Sequence, residues 1–225
     1  MEKIEGFIFD MDGILFDTER ISSTFWKKIL KKYGYDMNDE IYLTLIGRNS
    51  KAGDEMLIER YGKDIPIEKI RGEKDIDMLK FIHENGVPVK KGVHELLDFL
   101  AQKEYKVAVA TSTCREKAVE LLEMTGIKDK VTVIICGDDV VNSKPDPEIF
   151  LKAAEKLAVD PKRCIVFEDS PVGVEAAYNG GMKAINVPDL KKPDKDTKKF
   201  AFKICNSLLE VRDYLKDIDN VNINQ

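Results

Sequence analysis

Two apolar segments that are typical of buried β-strands each end in acidic side chains. Phe7-Ile8-Phe9 leads into Asp10-Met11-Asp12-Gly13, and residues 164–167 lead into Glu168-Asp169. In an open α/β sheet, ligands bind in the crevice beyond the carboxyl ends of the strands. Carboxylates crowded there repel one another unless a cation lies among them. Because the ligands would be oxygen atoms, with no histidine or thiolate nearby, we expect Mg²⁺ rather than zinc.

Hydroxyl and ammonium groups occur at two further places of the same kind. The strand pattern at residues 106–110 runs into Thr111-Ser112-Thr113, and Lys144 precedes a turn that begins at Pro145. Hydroxyl groups, backbone N–H groups and a compact ammonium group suit phosphate oxygens. The sequence therefore predicts that Thr111, Ser112 and Lys144 bind phosphate.

Together these groups predict phosphoryl transfer, which requires in-line geometry and neutralised oxygens. Asp10 would attack phosphorus and form a covalent intermediate, which divides the reaction into two displacements. Asp12 would protonate the departing alkoxide and then deprotonate the attacking water, a contribution of about 10²–10⁴-fold. The side chains of Asp10 and Asp169, with the main-chain carbonyl of Asp12, would hold Mg²⁺ against the phosphate.

The elements that must position these residues alternate between strands and helices. Nearly continuous apolar, β-rich runs predict strands that are covered on both faces; they occupy residues 4–9, 106–110, 131–136, 164–167 and 183–187. Thr113 and Glu116 have capping-box spacing at the start of a helix that should stop at Gly126. Ser170 before Pro171 marks another helix start. This alternation predicts a doubly wound, Rossmann-like α/β core with a parallel sheet.

Residues 17–87 have a different character, with helical periodicity and no clear strand pattern. We expect an all-helical cap domain over 17–87, inserted into a catalytic core made of residues 1–16 and 88–225. Within the insertion, Arg48 and Lys51 are candidates for gripping the substrate, and an ordinary helix connection is the open alternative. Arg115, in the first turn of its helix, is a third candidate for substrate contact.

Composition and charge limit which classes of partner and which cellular compartment we expect for this protein. The net charge of −5 disfavours a nucleic-acid partner. No apolar run approaches the length of a membrane span. The four cysteines have neither C-x-x-C nor zinc spacing, which fits a reducing compartment. We therefore expect a cytoplasmic monomer that acts on a small phosphorylated metabolite, with no nucleic-acid or membrane partner.

These residues resemble the motifs of a known superfamily. The segment from Asp10 to Thr18, DMDGILFDT, is similar to the first motif of the haloacid dehalogenase superfamily. Thr111, Lys144 and Glu168-Asp169 match its second, third and fourth motifs in order. The helical insertion resembles the cap of the subfamily that includes β-phosphoglucomutase and many sugar-phosphate phosphatases.

The resemblance implies specific roles for matched residues. They are nucleophile Asp10, acid/base Asp12, phosphate ligands Thr111 and Lys144, and metal ligand Asp169. Glu168 matches a position that in some relatives also touches the metal or its water.

The resemblance leaves alternatives to a phosphatase of a sugar phosphate or similar phosphomonoester. Asp12 disfavours a true dehalogenase, which needs no acid for an alkoxide. The mutase branch carries a histidine where this chain has Ser22, which disfavours a β-phosphoglucomutase-type enzyme. A non-catalytic module that binds a phosphorylated metabolite is the alternative of another class, and the intact set of acidic residues and Lys144 argues against it.

Overall fold

The computed structural model describes residues 3–223, with side chains up to residue 217. Its centre is a six-stranded parallel sheet with the strand order β3-β2-β1-β4-β5-β6. The strands are β1 (Gly6–Phe9), β2 (Lys106–Ala110), β3 (Val133–Ile135), β4 (Cys164–Glu168), β5 (Lys183–Asn186) and β6 (Lys203–Ile204).

Helices cover the sheet and fill the segment between β1 and β2. The helices before β2 are α1 (Thr18–Lys32), α2 (Asp39–Leu45), α3 (Ser50–Tyr61), α4 (Ile67–Asn85) and α5 (Val93–Gln102). Those after β2 are α6 (Arg115–Met124), α7 (Glu148–Leu157), α8 (Pro171–Asn179), α9 (Lys195–Phe200) and α10 (Leu208–Ile223). None of the helices in the described part of the chain is long and apolar enough to cross a membrane.

The sheet is buried on both faces, because successive side chains of a strand point to opposite sides. In β1, Phe7 and Phe9 pack into one apolar cluster and Ile8 into the other. All three side chains are almost fully buried. The expected doubly covered α/β sheet is confirmed.

The register of the central strands brings their carboxyl ends to one edge. Phe9 of β1 lies beside Val109 of β2 and beside Phe167 of β4. The chain moves outward from β1 to β3 and then returns to place β4 on the other side of β1. The order therefore reverses between β1 and β4, which is where open α/β sheets bind ligands.

Helices α1–α4 form an insertion with its own apolar cluster, which includes Trp26, Leu30 and Ile70. Two connecting segments join it to the sheet, and Phe16 forms an antiparallel bridge with Val89 between them. The predicted helical insertion agrees with the fold class. Its division into domains at residues 17 and 87 stays a prediction.

Several local expectations differ from the structure. The predicted capping box at Thr113 is wrong: Cys114 precedes the first residue of α6 and its side chain accepts no capping hydrogen bond, while the Arg115 N–H donates to Asp138 Oδ2 at 3.0 Å. The Thr113 hydroxyl donates instead to Asp12 Oδ2 at 2.7 Å, so a tertiary partner has replaced the local one. By contrast, Ser170 caps α8 through a hydrogen bond from the Gly173 N–H, as expected. The two-residue edge strand β6 was not predicted.

Candidate active site

Three carboxyl groups meet at the carboxyl edge of the sheet. Asp10 follows β1, Glu168 ends β4 and Asp169 follows it. One oxygen from each side chain lies within 4.8 Å of the others, and all three residues are buried. The structure thus brings together acidic residues from distant parts of the sequence.

Lys144 supplies the positive charge that two of these carboxylates need. Its Nζ lies 2.5 Å from Asp10 Oδ1 and 2.6 Å from Glu168 Oε1, and its side chain is 1% exposed. Burial alone would lower the pKa of Lys144, but the charges of Asp10 and Glu168 raise it above its ordinary value. The ammonium group is therefore charged and fixed in place.

One ammonium group does not balance three carboxylates. Burial, followed by the charges of Glu168 and Asp10, raises the pKa of Asp169 well above its usual range. Its Oδ2 atom is buried and accepts no hydrogen bond from the part of the chain that the structure describes. An orphaned buried carboxylate oxygen beside two others fits a hard divalent cation such as Mg²⁺, which prefers oxygen ligands.

Gly13 permits this close approach of Asp169 to the loop after β1. Gly13 has a φ of +87°, and a Cβ atom built there would lie 2.6 Å from Asp169 Oδ2. A side chain at this position would displace the carboxylate and strain the backbone.

The two oxygens of Glu168 already have protein partners. Oε1 faces Lys144, while Oε2 accepts hydrogen bonds from Ser170 N at 2.7 Å and Ser170 Oγ at 3.0 Å. A Cβ atom on Gly173 would lie 1.8 Å from Oε1, so only glycine fits there. Asn186 on β5 donates to the main-chain carbonyls of Glu168 and Asp169. Asn186 thereby fixes the backbone that carries both acids.

Asp12 lies apart from the three-carboxylate cluster and is held by two hydroxyl groups. Thr18 Oγ1 donates to Asp12 Oδ1, and Thr113 Oγ1 donates to Asp12 Oδ2. Thr18 is the first residue of α1, and Thr113 lies in the loop after β2. The carboxyl group is thus oriented from both the insertion and the sheet.

Two of the predicted phosphate-binding residues, Thr111 and Ser112, line the same cleft as Asp10 and Asp12. Lys144 is not among the described residues that line the cleft, but its Nζ donates to Asp10 Oδ1. Thr111 is buried, and its Oγ1 accepts a hydrogen bond from Thr113 N at 3.1 Å. Ser112 Oγ donates to the main-chain oxygen of Gly47 in the insertion at 3.2 Å. Ser112 therefore links the loop after β2 to the insertion.

The insertion contributes its own charged groups to this cleft. Glu19 and Lys74 line it together with Trp26 and Tyr42. Burial, and next the charge of Asp12, raises the pKa of Glu19 to about 7. The Tyr42 hydroxyl donates to Glu19 Oε2. Burial, and next the charge of Lys117, lowers the pKa of Lys74 to about 8.

The three substrate-contact candidates have different locations. Arg48 lines the cleft, and its Nε atom is buried without a hydrogen-bond partner among the described residues. Lys51 is exposed on α3 and is not among the described residues that line the cleft. Arg115 turns away toward β3, where it pairs with Asp139 and donates to the Ile134 carbonyl. The structure does not bring Lys51 or Arg115 to the site, because Lys51 is exposed to solvent and Arg115 pairs with Asp139.

Sequence reasoning missed Glu19 and Lys74 as lining residues. Lys74 could have been found, because Ile70, Lys74, Met78 and Ile82 follow one another at four-residue spacing on the buried face of α4. A lysine on such an apolar stripe is a signal for a buried charge. Glu19 had no comparable signal, since acidic residues are common in the first turn of a helix.

The chain belongs to the haloacid dehalogenase-like hydrolase family, whose model matches residues 7–187. A phosphorylated carbohydrates phosphatase of Thermotoga maritima is 35% identical over 186 residues, covering 81% of this chain and 84% of that protein. Fructose-1-phosphate phosphatase YqaB of Escherichia coli is 29% identical, covering 83% of this chain and 97% of that protein. The predicted superfamily is confirmed, as is the expectation of a phosphoric monoester hydrolase, since such relatives are phosphatases.

The overall architecture also matches a solved relative. A crystal structure of β-phosphoglucomutase from Clostridium difficile superposes with a TM-score of 0.84 at 26% identity. The match covers 99% of this chain and 100% of that chain. The Rossmann-like fold predicted from the strand pattern is therefore confirmed.

Proposed function

We propose that this protein is a Mg²⁺-dependent phosphatase that hydrolyses a phosphorylated carbohydrate or a similar small phosphomonoester through an aspartyl-phosphate on Asp10. The observation that supports this most is the buried arrangement of Asp10, Asp169 and Lys144. Asp10 lies 2.5 Å from the Lys144 ammonium and within 4.8 Å of an oxygen of Asp169. A nucleophilic carboxylate in phosphoryl transfer needs such neighbouring positive charge, because two anions must approach each other.

Asp10, Asp169 and the main-chain carbonyl of Asp12 would hold Mg²⁺, which supplies neutralising charge to the phosphate oxygens. Lys144 would bind the same phosphate from the other side, with Thr111 and Ser112 as further donors. Both oxygens of Glu168 have protein partners, so we assign Glu168 the role of positioning Lys144. A contact of Glu168 with a metal-bound water is the secondary assignment.

The reaction would proceed in two displacements at phosphorus. In the first, the free Asp10 oxygen bonds to phosphorus while the ester oxygen departs and takes a proton from the Asp12 carboxyl. In the second, Asp12 accepts a proton from water as that water attacks phosphorus, and the Asp10 carboxylate is released with inorganic phosphate. The hydroxyl groups of Thr18 and Thr113, which bond to Asp12, would keep the carboxyl aimed at the ester oxygen.

The insertion would act as a cap that recognises the organic part of the substrate. Its charged and aromatic groups line the same cleft as Asp10, and a polyol offers hydroxyl groups to both a carboxylate and an ammonium. The names of the relatives, which include phosphatases of phosphorylated carbohydrates and of fructose 1-phosphate, support this substrate class. Opening and closing about residues 16–17 and 87–88 would admit water after the first transfer. A monomeric, cytoplasmic protein stays a prediction.

The test is a panel of sugar phosphates, nucleoside monophosphates and small organic phosphates, assayed for phosphate release with and without Mg²⁺. We expect release from sugar phosphates that needs Mg²⁺, and a fall in kcat of at least about 10³-fold in Asp10→Asn, which removes the nucleophile. Asp160→Asn, a substitution in the loop before β4, is the matched control and should keep full activity. If the wild type turns over no compound of the panel, the proposal is wrong and a non-catalytic module that binds a phosphorylated metabolite is favoured.

The likeness to β-phosphoglucomutase makes a mutase the second candidate. A mutase returns the phosphoryl group to a sugar instead of to water. Isomerisation of β-glucose 1-phosphate, measured beside phosphate release, separates the two. We expect phosphate release to exceed isomerisation, and the reverse ratio would identify a mutase.

A further inference from the structure

The two segments that connect the insertion to the sheet form a short ribbon. Asp17 N donates to the Pro88 carbonyl at 2.8 Å, and Lys90 N donates to the Leu15 carbonyl at 2.9 Å. Phe16 and Val89 pair between these bonds. Main-chain hydrogen bonds thus tie the connections to each other, but they do not fix how α1 leaves the ribbon.

Asp189, in the loop between β5 and α9, contacts the first turn of α1 and the second connecting segment. Its Oδ1 atom accepts a hydrogen bond from Arg20 at 2.8 Å and lies 2.8 Å from Lys90 Nζ. Its side chain is only 4% exposed. Arg20 also pairs with Asp17. A single buried carboxylate therefore holds one cation from each side of the ribbon.

Arg20 belongs to the first turn of α1, where three consecutive side chains have different partners. Thr18 donates to Asp12, Glu19 accepts from Tyr42, and Arg20 donates to Asp189. Because Thr18 and Arg20 lie in the same helical turn, the Arg20–Asp189 contact also holds the backbone from which the Thr18 hydroxyl reaches Asp12. The loop after β5 is thereby connected through two side chains to the carboxyl group that the proposed mechanism uses as acid and base.

We propose that Asp189 is a positioning residue, which through Arg20 holds the first turn of α1 so that Thr18 orients the carboxyl of Asp12. The inference rests on the proposed function, since it assigns Asp189 to the proton-transfer part of that reaction. Asp189 has this effect from outside the site: it is not among the described residues that line the cleft. Lys90 completes the charge balance at Asp189 and anchors the second connection.

The experiment compares two phosphate esters that differ in their need for a proton. A sugar phosphate such as fructose 1-phosphate has an alkoxide leaving group that must be protonated, whereas p-nitrophenolate departs without help. A residue that acts through Asp12 should therefore matter more for the sugar ester in kcat/KM, which reports the first displacement and not the hydrolysis step that both esters share. General loss of structure would lower both rates equally.

The variants are Asp189→Asn, which keeps an acceptor oxygen but removes the charge, and Arg20→Met. We expect kcat/KM with the sugar ester to fall about tenfold in each, and kcat/KM with p-nitrophenyl phosphate to fall less than about threefold. The double variant should lose less than the two single losses combined, because both variants break the contact between Arg20 and Asp189. Arg20→Lys keeps the charge and should retain more activity than Arg20→Met.

Asp98→Asn is the matched control, since Asp98 is an exposed acid of α5 that pairs with Lys130. It should leave both rates unchanged. Hydrogen–deuterium exchange gives a readout that does not require turnover. Peptides that cover residues 17–24 should exchange faster in Asp189→Asn and Arg20→Met than in the wild type and in Asp98→Asn.

Equal losses of kcat/KM with the two esters, or unchanged exchange over residues 17–24, would overturn the role of Asp189. A wild type that hydrolyses neither ester would instead refute the proposed function. In that case the exchange measurement alone still decides whether Asp189 holds the first turn of α1.

Discussion

Two buried lysines, one beside the sheet and one in the insertion, face opposite electrostatic conditions. Lys144 lies between Asp10 and Glu168, which hold its pKa above the ordinary value despite burial. Lys74 is also buried, but it has the Asp75 carboxylate on one side and the Lys117 ammonium near the same acid. Burial and the charge of Lys117 lower its pKa to about 8.

The difference separates a lysine whose charge the protein already balances from one whose charge a ligand would balance. The carboxylates around Lys144 compensate its charge before any substrate binds, so this end of the cleft is preorganised. Lys74 is under-compensated, although the ring of Trp26 lies 5.5 Å from its Nζ. We expect an electron-rich group of the substrate, a hydroxyl oxygen or an anion, to complete its environment. Catalytic machinery would thus belong to the sheet and recognition to the insertion.

The largest effect is expected for Lys144→Met, which tests the sheet side of this comparison. The change leaves Asp10, Glu168 and Asp169 facing one another without a cation from the protein. We expect kcat to fall by about 10³-fold and the free energy of unfolding to fall by about 3 kcal/mol at neutral pH. Steady-state assays and urea unfolding measure the two effects. Lys156→Met, at an exposed position of α7, is the control and should change neither. Retention of more than one tenth of the activity would contradict the role of Lys144.

Lys74→Met should have the opposite effect on stability. Because the pKa of Lys74 is lowered to about 8, the unfolded chain binds its proton more tightly, and the buried charge destabilises the protein fully below that pH. The cost disappears as the pH rises through about 8 to 10, so the variant should gain about 1–3 kcal/mol at neutral pH.

The same variant should bind a sugar phosphate more weakly, with KM raised about tenfold and the p-nitrophenyl ester little affected. Urea unfolding and steady-state kinetics provide both values. Lys80→Met, at an exposed position of the same helix, should change neither. A Lys74→Met variant that is less stable than the wild type at neutral pH would show that the charge is already compensated.

The smallest effect concerns Glu19, whose pKa is raised to about 7 by burial and by Asp12. Between its ordinary pKa and about 7 the folded state binds the proton more tightly, so the contribution of Glu19 to stability falls as the pH rises through that window. Glu19→Gln should remove this dependence, and it should gain about 1 kcal/mol over the wild type between about pH 5 and pH 8. Urea unfolding across that range measures it, with exposed Glu40→Gln as the control. Parallel pH profiles for Glu19→Gln and the wild type would contradict the raised pKa.

The parts of the molecule that the sequence predicts well are those where the local pattern and the tertiary environment agree. Residues 106–110 were predicted as a strand and form β2 without any shift of its ends. Apolar residues on both faces leave such a segment no stable alternative to a central strand. The acidic residues could be predicted from the same pattern, because the end of a parallel strand fixes which edge of the sheet a side chain reaches.

The remainder depends on partners that are distant in sequence. Thr113 has a capping position by spacing, yet its hydroxyl bonds to Asp12, which lies 101 residues away. Arg115 is near the cleft along the chain, but the Asp139 carboxylate draws it to the other side of the helix. The order of residue types in a sequence does not show which of several competing contacts a side chain will make. The two-residue strand β6 is too short to leave a periodic pattern.

The three side chains of the first turn of α1 also constrain the length of the chain. Each residue of an α-helix advances by about 100° around the axis. One residue inserted between Phe16 and Thr18 would therefore turn the side chains of Thr18, Glu19 and Arg20 away from their partners, all three together. The number of residues from β1 to α1 is as much a part of the site as the acids themselves, and loop-length variation has to be accommodated elsewhere in the insertion.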